Sequence, residues 1–400
     1  MVVEQDEKNR TSRTPGILFV DIEGGWGGSS RSLFYFVKHL NRHQFRPIVV
    51  LGKRGPIEHA YRKEQVSTIL LSPIPRTTAM QRRNVRALGL FAFQLAFLPR
   101  VLCGIRNLIK RHGVRIIHLN HESLFFLGLC MKSLFRTRVV YHVRTMLPGN
   151  TWAKVQMMIA SHTADYMIFI TENERARWRA VYPRSQKVPH SIIYNSAESG
   201  KAEHPHPRLH DVAGKFKILS LMTLSRRRGT DRIVDVCRLL KDRDERDMVF
   251  VICGKPESLS YQRLICEKIQ RQELAQYFVF LGHQANPEAI LAQCDLVLKP
   301  SREYNPWGRD IIEALATGKP VIAIGTYDRF VEDGVNGFLL AEFDPAKIAE
   351  KIVYLSKHRE VVEKMKVANI KKARDLFDGP TNSAKLGAIY DSLIYSEEQF

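Results

Sequence analysis

The stretch Pro300 to Leu315 (PSREYNPWGRDIIEAL) holds the groups that a nucleotide phosphate and its ribose would need. Asp295 to Lys299 reads as a buried strand. The polar loop after it leads into a helix that starts near Gly308 and is apolar at Ile311, Ile312, Ala314 and Leu315. Such a turn leaves backbone N–H groups without partners and points the positive end of the helix dipole at the loop, which suits an anion. Glu313 follows on the first turns, where a carboxylate can accept hydrogen bonds from ribose hydroxyls. Taken alone, an ordinary capped helix after a strand has the same pattern.

Other elements must carry this turn. Ile17 to Ile22, Phe45 to Leu51, Val66 to Leu71, Val114 to Leu119, Arg138 to Val143 and Asp165 to Ile170 read as strands separated by helical stretches. Most are largely apolar, as parallel strands covered on both faces should be. After the first come Gly24, Gly25, Trp26, Gly27 and Gly28, with Ser29 or Ser30 expected to cap a helix reaching about His43. Asn195 to Gly214 is polar and contains Gly, Pro and three histidines, which as a linker would be solvated. A second series follows, with strands at Lys217 to Met222, Met248 to Cys253, Tyr277 to Leu281, Asp295 to Lys299 and Pro320 to Ile324. The reading is an α/β chain of two Rossmann-like domains. Its parts are a polar tail (1–15), a first domain (16–195), a linker (196–214), a second domain (215–380) and a C-terminal helix (381–400).

The Pro300–Leu315 segment resembles the donor-site signature of retaining glycosyltransferases of family 4, which have the GT-B fold. That pattern is Glu, seven residues, Glu, with Pro-Phe-Gly after the first Glu and Glu-Ala-Met-Ala at the second. Pro306-Trp307-Gly308 and Glu313-Ala314-Leu315-Ala316 fit it, while Asn305 stands where the first Glu is expected. Gly27-Gly28 resembles the family's turn after the first strand, and Tyr141-His142-Val143-Arg144 its strand-ending histidine. His118-Leu119-Asn120-His121-Glu122 is similar to a neighbouring motif. In Met222 to Gly229 (MTLSRRRG), Arg228 takes the position of a phosphate-binding Lys, and Thr223 that of an Arg. Leu281-Gly282-His283 resembles the loop that meets the nucleobase, and Asp333 to Leu340 a structural stretch near the end of the domain.

The resemblance implies two Rossmann-like domains facing across a cleft, the first binding the acceptor and the second the nucleotide-sugar, with the last helix returning to the first domain. It implies retaining transfer of a sugar from a nucleotide diphosphate-sugar co-substrate, without cofactor or metal. His142, Asn305 and Glu313 would act at the reaction centre. Gly27, Gly28, Arg228, Gly282, Trp307, Gly308, Arg309, Asp310 and Glu313 would hold the donor.

Composition bounds the partners. The chain has 400 residues, 44% hydrophobic, enough for two cores. Its six cysteines are scattered without a Cys-x-x-Cys pair, as expected of small core residues in a reducing compartment. The first sixteen residues have no apolar core, so a cytoplasmic protein is expected. The net charge of +20 favours anionic partners. Arg82, Arg83 and Arg86 precede the apolar run Ala87 to Leu98, with Arg100, Arg106, Lys110 and Arg111 beyond it. This suits an anionic membrane surface and, with Arg144, a saccharide or lipid-linked acceptor, although a core helix with solvated ends fits as well. No nucleic-acid-binding motif is present, and none is expected as a partner. The competing readings are a non-catalytic GT-B subunit, favoured by Asn305 and Thr223, and a sugar-nucleotide epimerase, which would need a further carboxylate at the reaction centre.

Overall fold

A computed structural model describes residues 14–76, 85–135, 137–198 and 206–395, with the side chains of 85–88 excepted. Arg82 and Arg83, and the side chain of Arg86, lie outside the described residues. The chain forms two compact units, Met1–Ser196 with Gly379–Phe400, and Ala197–Asp378.

The first unit holds β1 (Gly16–Asp21), β2 (Arg46–Leu51), β3 (Ser67–Leu70), β4 (Val114–Leu119), β5 (Arg138–Val143), β6 (Tyr166–Phe169) and β7 (His190–Ile192). Their order is β3-β2-β1-β4-β5-β6-β7, parallel throughout. The second unit holds β8 (Phe216–Leu221), β9 (Met248–Cys253), β10 (Phe278–Gly282), β11 (Leu296–Lys299), β12 (Val321–Ile324) and β13 (Gly337–Leu340). They run β10-β9-β8-β11-β12-β13, again parallel. Each sheet reverses its order beside its first strand, at β1/β4 and at β8/β11. Such a switch point opens a crevice at the carboxyl ends of the strands, where ligands of doubly wound sheets bind.

Alternation along β1 explains why it is apolar from Ile17 to Val20. Leu18 and Val20 enter one core layer, while Ile17 and Phe19 enter the other. The helix Gly379–Tyr395 packs on the second layer through Leu386, Ile389 and Tyr390, and Ser383 donates to the Phe36 carbonyl (3.1 Å).

The structure corrects several local expectations. The first helix is Gly28–His39, shorter than expected. Its N-cap is Gly27, with no side-chain cap, so neither Ser29 nor Ser30 serves. Strands β7 and β13 were absent from the sequence reading. The supposed linker contains a helical turn, Pro207–His210.

Candidate functional site

In the second unit, the loops after β8 and β11 meet at the switch point. Arg302 N–H donates to the Arg227 carbonyl (3.0 Å), and the Arg302 guanidinium grips both oxygens of Asp231 (2.8 and 2.7 Å). Gly229 lets them meet. Its φ is +83°, and a Cβ there would stand 2.1 Å from the Pro300 carbonyl oxygen.

Two arginines of the β8 loop therefore face the β11 loop. Arg227 Nη1 donates to Glu303 Oε1 (2.7 Å), and Arg228 Nη1 lies 3.0 Å from Glu303 Oε2. Arg226 is exposed. Asn305 Nδ2 reaches Glu303 Oε2 at 3.4 Å, while Asn305 Oδ1 is buried with no hydrogen-bond partner.

The helix beyond is Arg309–Ala316. Gly308 is its N-cap, at φ +117°, with Asp310 in the first turn. Lys299 ends β11 and is buried. Its ammonium donates to Asp310 Oδ1 (2.8 Å) and to the Trp307 carbonyl (2.5 Å), fixing the loop to the helix start. Burial lowers the Lys299 pKa, and Asp310 opposes that shift.

Two carboxylates of this helix are already paired. The Asp310 carboxylate neutralises Lys299. Glu313 is not presented to solvent, being 0% exposed, and accepts from Arg309 Nε at 2.6 Å. A carboxylate one helical turn along faces the arginine at i−4, and in a buried setting the two pair.

Gly282 lies at the end of β10, at φ +67°, and accepts from Gly254 N–H (2.8 Å). Together with Leu224, Pro256, Phe280 and Leu281 it lines a cavity of about 410 Å³. Sequence reasoning missed that His206 and Arg208, taken as solvated linker, also line it, with Arg208 donating to the Phe280 carbonyl (2.7 Å). It also missed Lys299, although a lysine ending an apolar strand is a legible signal.

In the first unit the switch point is packed with buried polar groups. Asn120 Nδ2 donates to Asp21 Oδ1 (3.0 Å), and Asn120 Oδ1 accepts from Arg144 Nε and Nη2 (2.8 and 2.6 Å). Arg144 Nη2 lies 3.3 Å from His142 Nδ1, which lies 3.3 Å from His118 Nε2. His118 Nδ1 lies 2.7 Å from the Tyr390 hydroxyl. Arginine can only donate, so His142 Nδ1 accepts and its proton sits on Nε2. His118 Nε2–H then donates to His142, and Tyr390 O–H donates to His118. Burial, then Arg144, pushes His118 down to about 3. Burial, Arg144 and His118 hold His142 well below its ordinary value. Burial raises Asp21.

His142 is therefore a core residue, contrary to the strand-end expectation. Its neighbours Tyr141 and Val143 face one layer, and alternation turns His142 into the other, against Phe36 (ring centroids 5.4 Å). Arg144 is likewise buried and braces the Asn120 loop instead of facing an acceptor. Gly27 and Gly28 are not positive-φ glycines. The close approach in that turn belongs to Gly24 and Gly55, where a Cβ would stand 2.0 Å from the Lys53 carbonyl oxygen and 2.1 Å from that of Gly24.

Two family models match the chain. Glycosyltransferase Family 4 matches residues 26–197, and Glycosyl transferases group 1 matches residues 206–372. The chain belongs to glycosyltransferase family 4. Phosphatidyl-myo-inositol mannosyltransferase of Mycobacterium leprae is 23% identical over 312 residues, covering 76% of this chain and 80% of that protein. Among solved structures, Anabaena HepE in complex with UDP-glucose superposes with a TM-score of 0.76 at 20% identity, covering 94% of this chain and 99% of HepE. Sucrose-phosphate synthase from Thermosynechococcus elongatus superposes at 0.74 and 18% identity, covering 96% and 100%. The fold is thus GT-B, and the chain is a glycosyltransferase.

Proposed function

We propose that this glycosyltransferase is a retaining, metal-independent hexosyltransferase. It would take its sugar from a nucleotide diphosphate-sugar and pass it to a saccharide or lipid-linked acceptor in cell-surface polysaccharide or glycolipid synthesis. The observation that carries the donor half is the meeting of the two switch-point loops in the second unit. It sets Arg227 and Arg228 on Glu303, in the loop that leads into the helix Arg309–Ala316. The chemical problem is departure of an anionic diphosphate from an oxocarbenium-like sugar. Arginine guanidinium groups and helix N–H donors aimed at the leaving oxygens lower that barrier. Arg228 takes the phosphate, the N–H groups of Gly308 to Asp310 assist, and Glu313 holds the ribose once Arg309 yields it. Asn305 meets the sugar hydroxyls. His142 has no part in this reading, being sealed in the core. The base enters the cavity beside Gly282.

The acceptor half rests on charge and exposure. Between Glu64 and Asp165 the only carboxylate is Glu122, against fourteen Lys and Arg. On the helix Val85–Ala96, Phe91 packs inward on Phe126 while Leu90 and Phe93 are 55% and 56% exposed. Arg100, Arg106, Lys110 and Arg111 are exposed on the helix Leu98–His112. Among the described residues no single helix is long and apolar enough to cross a membrane. Gly89–Ala96 and Leu98–His112 pass that test only as a pair, bent by 52°. An apolar face with cationic flanks suits the headgroup layer of an anionic membrane, with the enzyme on its cytoplasmic side.

Calorimetric titration with UDP-, GDP-, ADP- and dTDP-sugars tests the donor half. One donor should bind, with binding lost in Arg228→Ala and Glu313→Ala. Failure of every donor would refute it. Charge reversal at Arg82, Arg83 and Arg86 should abolish binding to anionic liposomes, and unchanged binding would make the apolar helix a core element only.

A further inference from the structure

We infer that Glu303 is a positioning residue that gives Asn305 part of the character of the carboxylate it replaces. This rests on the reading of Asn305 as a sugar contact. Only the amide NH2 can approach a carboxylate as a donor, so the 3.4 Å contact from Asn305 Nδ2 to Glu303 Oε2 sets which way the amide points. Its Oδ1 is then turned away from Glu303, and this oxygen is buried without a partner. An amide whose N–H is held by an anion is polarised, and its oxygen becomes a stronger acceptor. A donor-sugar hydroxyl that displaces the atoms now covering this oxygen would meet a strengthened acceptor.

Glu303 is well placed to hold that role. Its N–H donates to Ser301 Oγ (3.1 Å), and its two oxygens are braced separately by Arg227 and Arg228. The same carboxylate therefore does two opposed things. It supports the sugar contact through Asn305, and it occupies the arginines that the diphosphate needs. Removing it should weaken sugar recognition and strengthen diphosphate binding at the same time, which loss of fold would not do.

The test measures affinity for the sugar nucleotide that binds tightest in the panel and for its parent nucleoside diphosphate. The readout is the ratio of the two, for wild type, Glu303→Ala, Asn305→Ala and the double variant. A hydrogen bond to a polarised or charged group supports a loss of about tenfold. Each single variant should lose about that factor in the ratio, with no further loss in the double. Glu303→Ala should bind the bare diphosphate more tightly than wild type. Asn305→Glu should make the ratio independent of residue 303. An unchanged ratio in Glu303→Ala, or full additivity in the double variant, overturns the inference while leaving the donor site standing. Absence of any binding by wild type removes the donor site itself.

Discussion

Gly229 joins the two loops that build the candidate donor site, and Gly229→Ala tests whether that joint matters. Two separate costs follow from its geometry. The left-handed backbone, at φ +83°, costs an alanine about 1–2 kcal/mol. The new methyl would lie 2.1 Å from the Pro300 carbonyl oxygen, where carbon–oxygen contacts settle at about 3.3 Å or more. The loops must therefore part by roughly 1 Å, which stretches the Arg302 N–H bond to Arg227 and shifts Arg228 relative to the Arg309–Ala316 helix. A displacement of about 1 Å in a positioned site can cost on the order of 100-fold in rate. Gly334→Ala is the control, with φ +74° and no atom within 4 Å of the added Cβ, so it has the strain without the clash. Thermal unfolding and nucleotide titration read the difference. Gly334→Ala should lower the midpoint by about 2–8 °C and bind nucleotide as wild type, since a domain of this size loses about 2–4 °C per kcal/mol. Gly229→Ala should lose more stability and bind on the order of 100-fold more weakly. If the two variants bind nucleotide alike, the loops do not form the site by meeting at Gly229.

Asp310→Asn should be strongly destabilising, by about 3 kcal/mol, because it leaves the buried Lys299 ammonium without its anion. Adding Lys299→Met should recover most of that loss in urea unfolding. The first unit should be acid-labile. His118 and His142 are held neutral in the fold, with pKa values below the 6.5 of the unfolded chain. Above pH 6.5 neither state binds these protons, and stability is level. Below it only the unfolded state does, so stability falls by about 1.4 kcal/mol per pH unit per histidine. Between pH 6.5 and 5 His118, held at about 3 in the fold, costs about 2 kcal/mol, and His142 adds a loss of the same sign. Asp21, raised by burial, works the other way, because the folded state takes its proton first as pH falls. Urea midpoints at pH 5 and 7.5 should show the drop, and His142→Gln should reduce it. A midpoint independent of pH would mean these imidazoles are not sealed from protons.

The strands were legible wherever both sheet faces are buried, because burial on both sides makes most positions apolar. Strand β7 (His-Ser-Ile) escaped because it lies at the sheet edge, half-buried, with no apolar run to announce it. Strand β13 was read only as a family stretch around glycines. The strand–loop–helix turn was legible because it is local, its parts lying within one run of chain. The charge pairs that define its electrostatics were not. Arg227–Glu303 and Arg302–Asp231 join loops some seventy residues apart, and no spacing rule pairs them. His142 shows the opposite failure. Its place near a strand end was read correctly, but the face on which it lies depends on alternation along the whole strand.

Those hidden pairs change what ligand binding means at this site. Lys299 has Asp310, Arg302 has Asp231 and Arg309 has Glu313, while Arg227 and Arg228 share the single carboxylate of Glu303. The only surplus positive charge among these five cations therefore sits on the arginine pair. An arriving diphosphate would not settle onto bare cations. It would compete with Glu303 for two guanidinium groups already oriented by that carboxylate, with the helix N–H donors adding attraction that Glu303 does not match. Preorganising the arginines in this way lowers the entropy lost on binding, at the cost of an anion that must yield. It also places sugar recognition and phosphate recognition on one residue, since the carboxylate that yields the arginines is the one that orients Asn305. A nucleoside diphosphate that has lost its sugar would still displace Glu303 from the arginines but would leave the Asn305 amide with nothing to hold. On the proposed reading, the difference between donor and spent nucleotide would turn on the short stretch from Glu303 to Asn305.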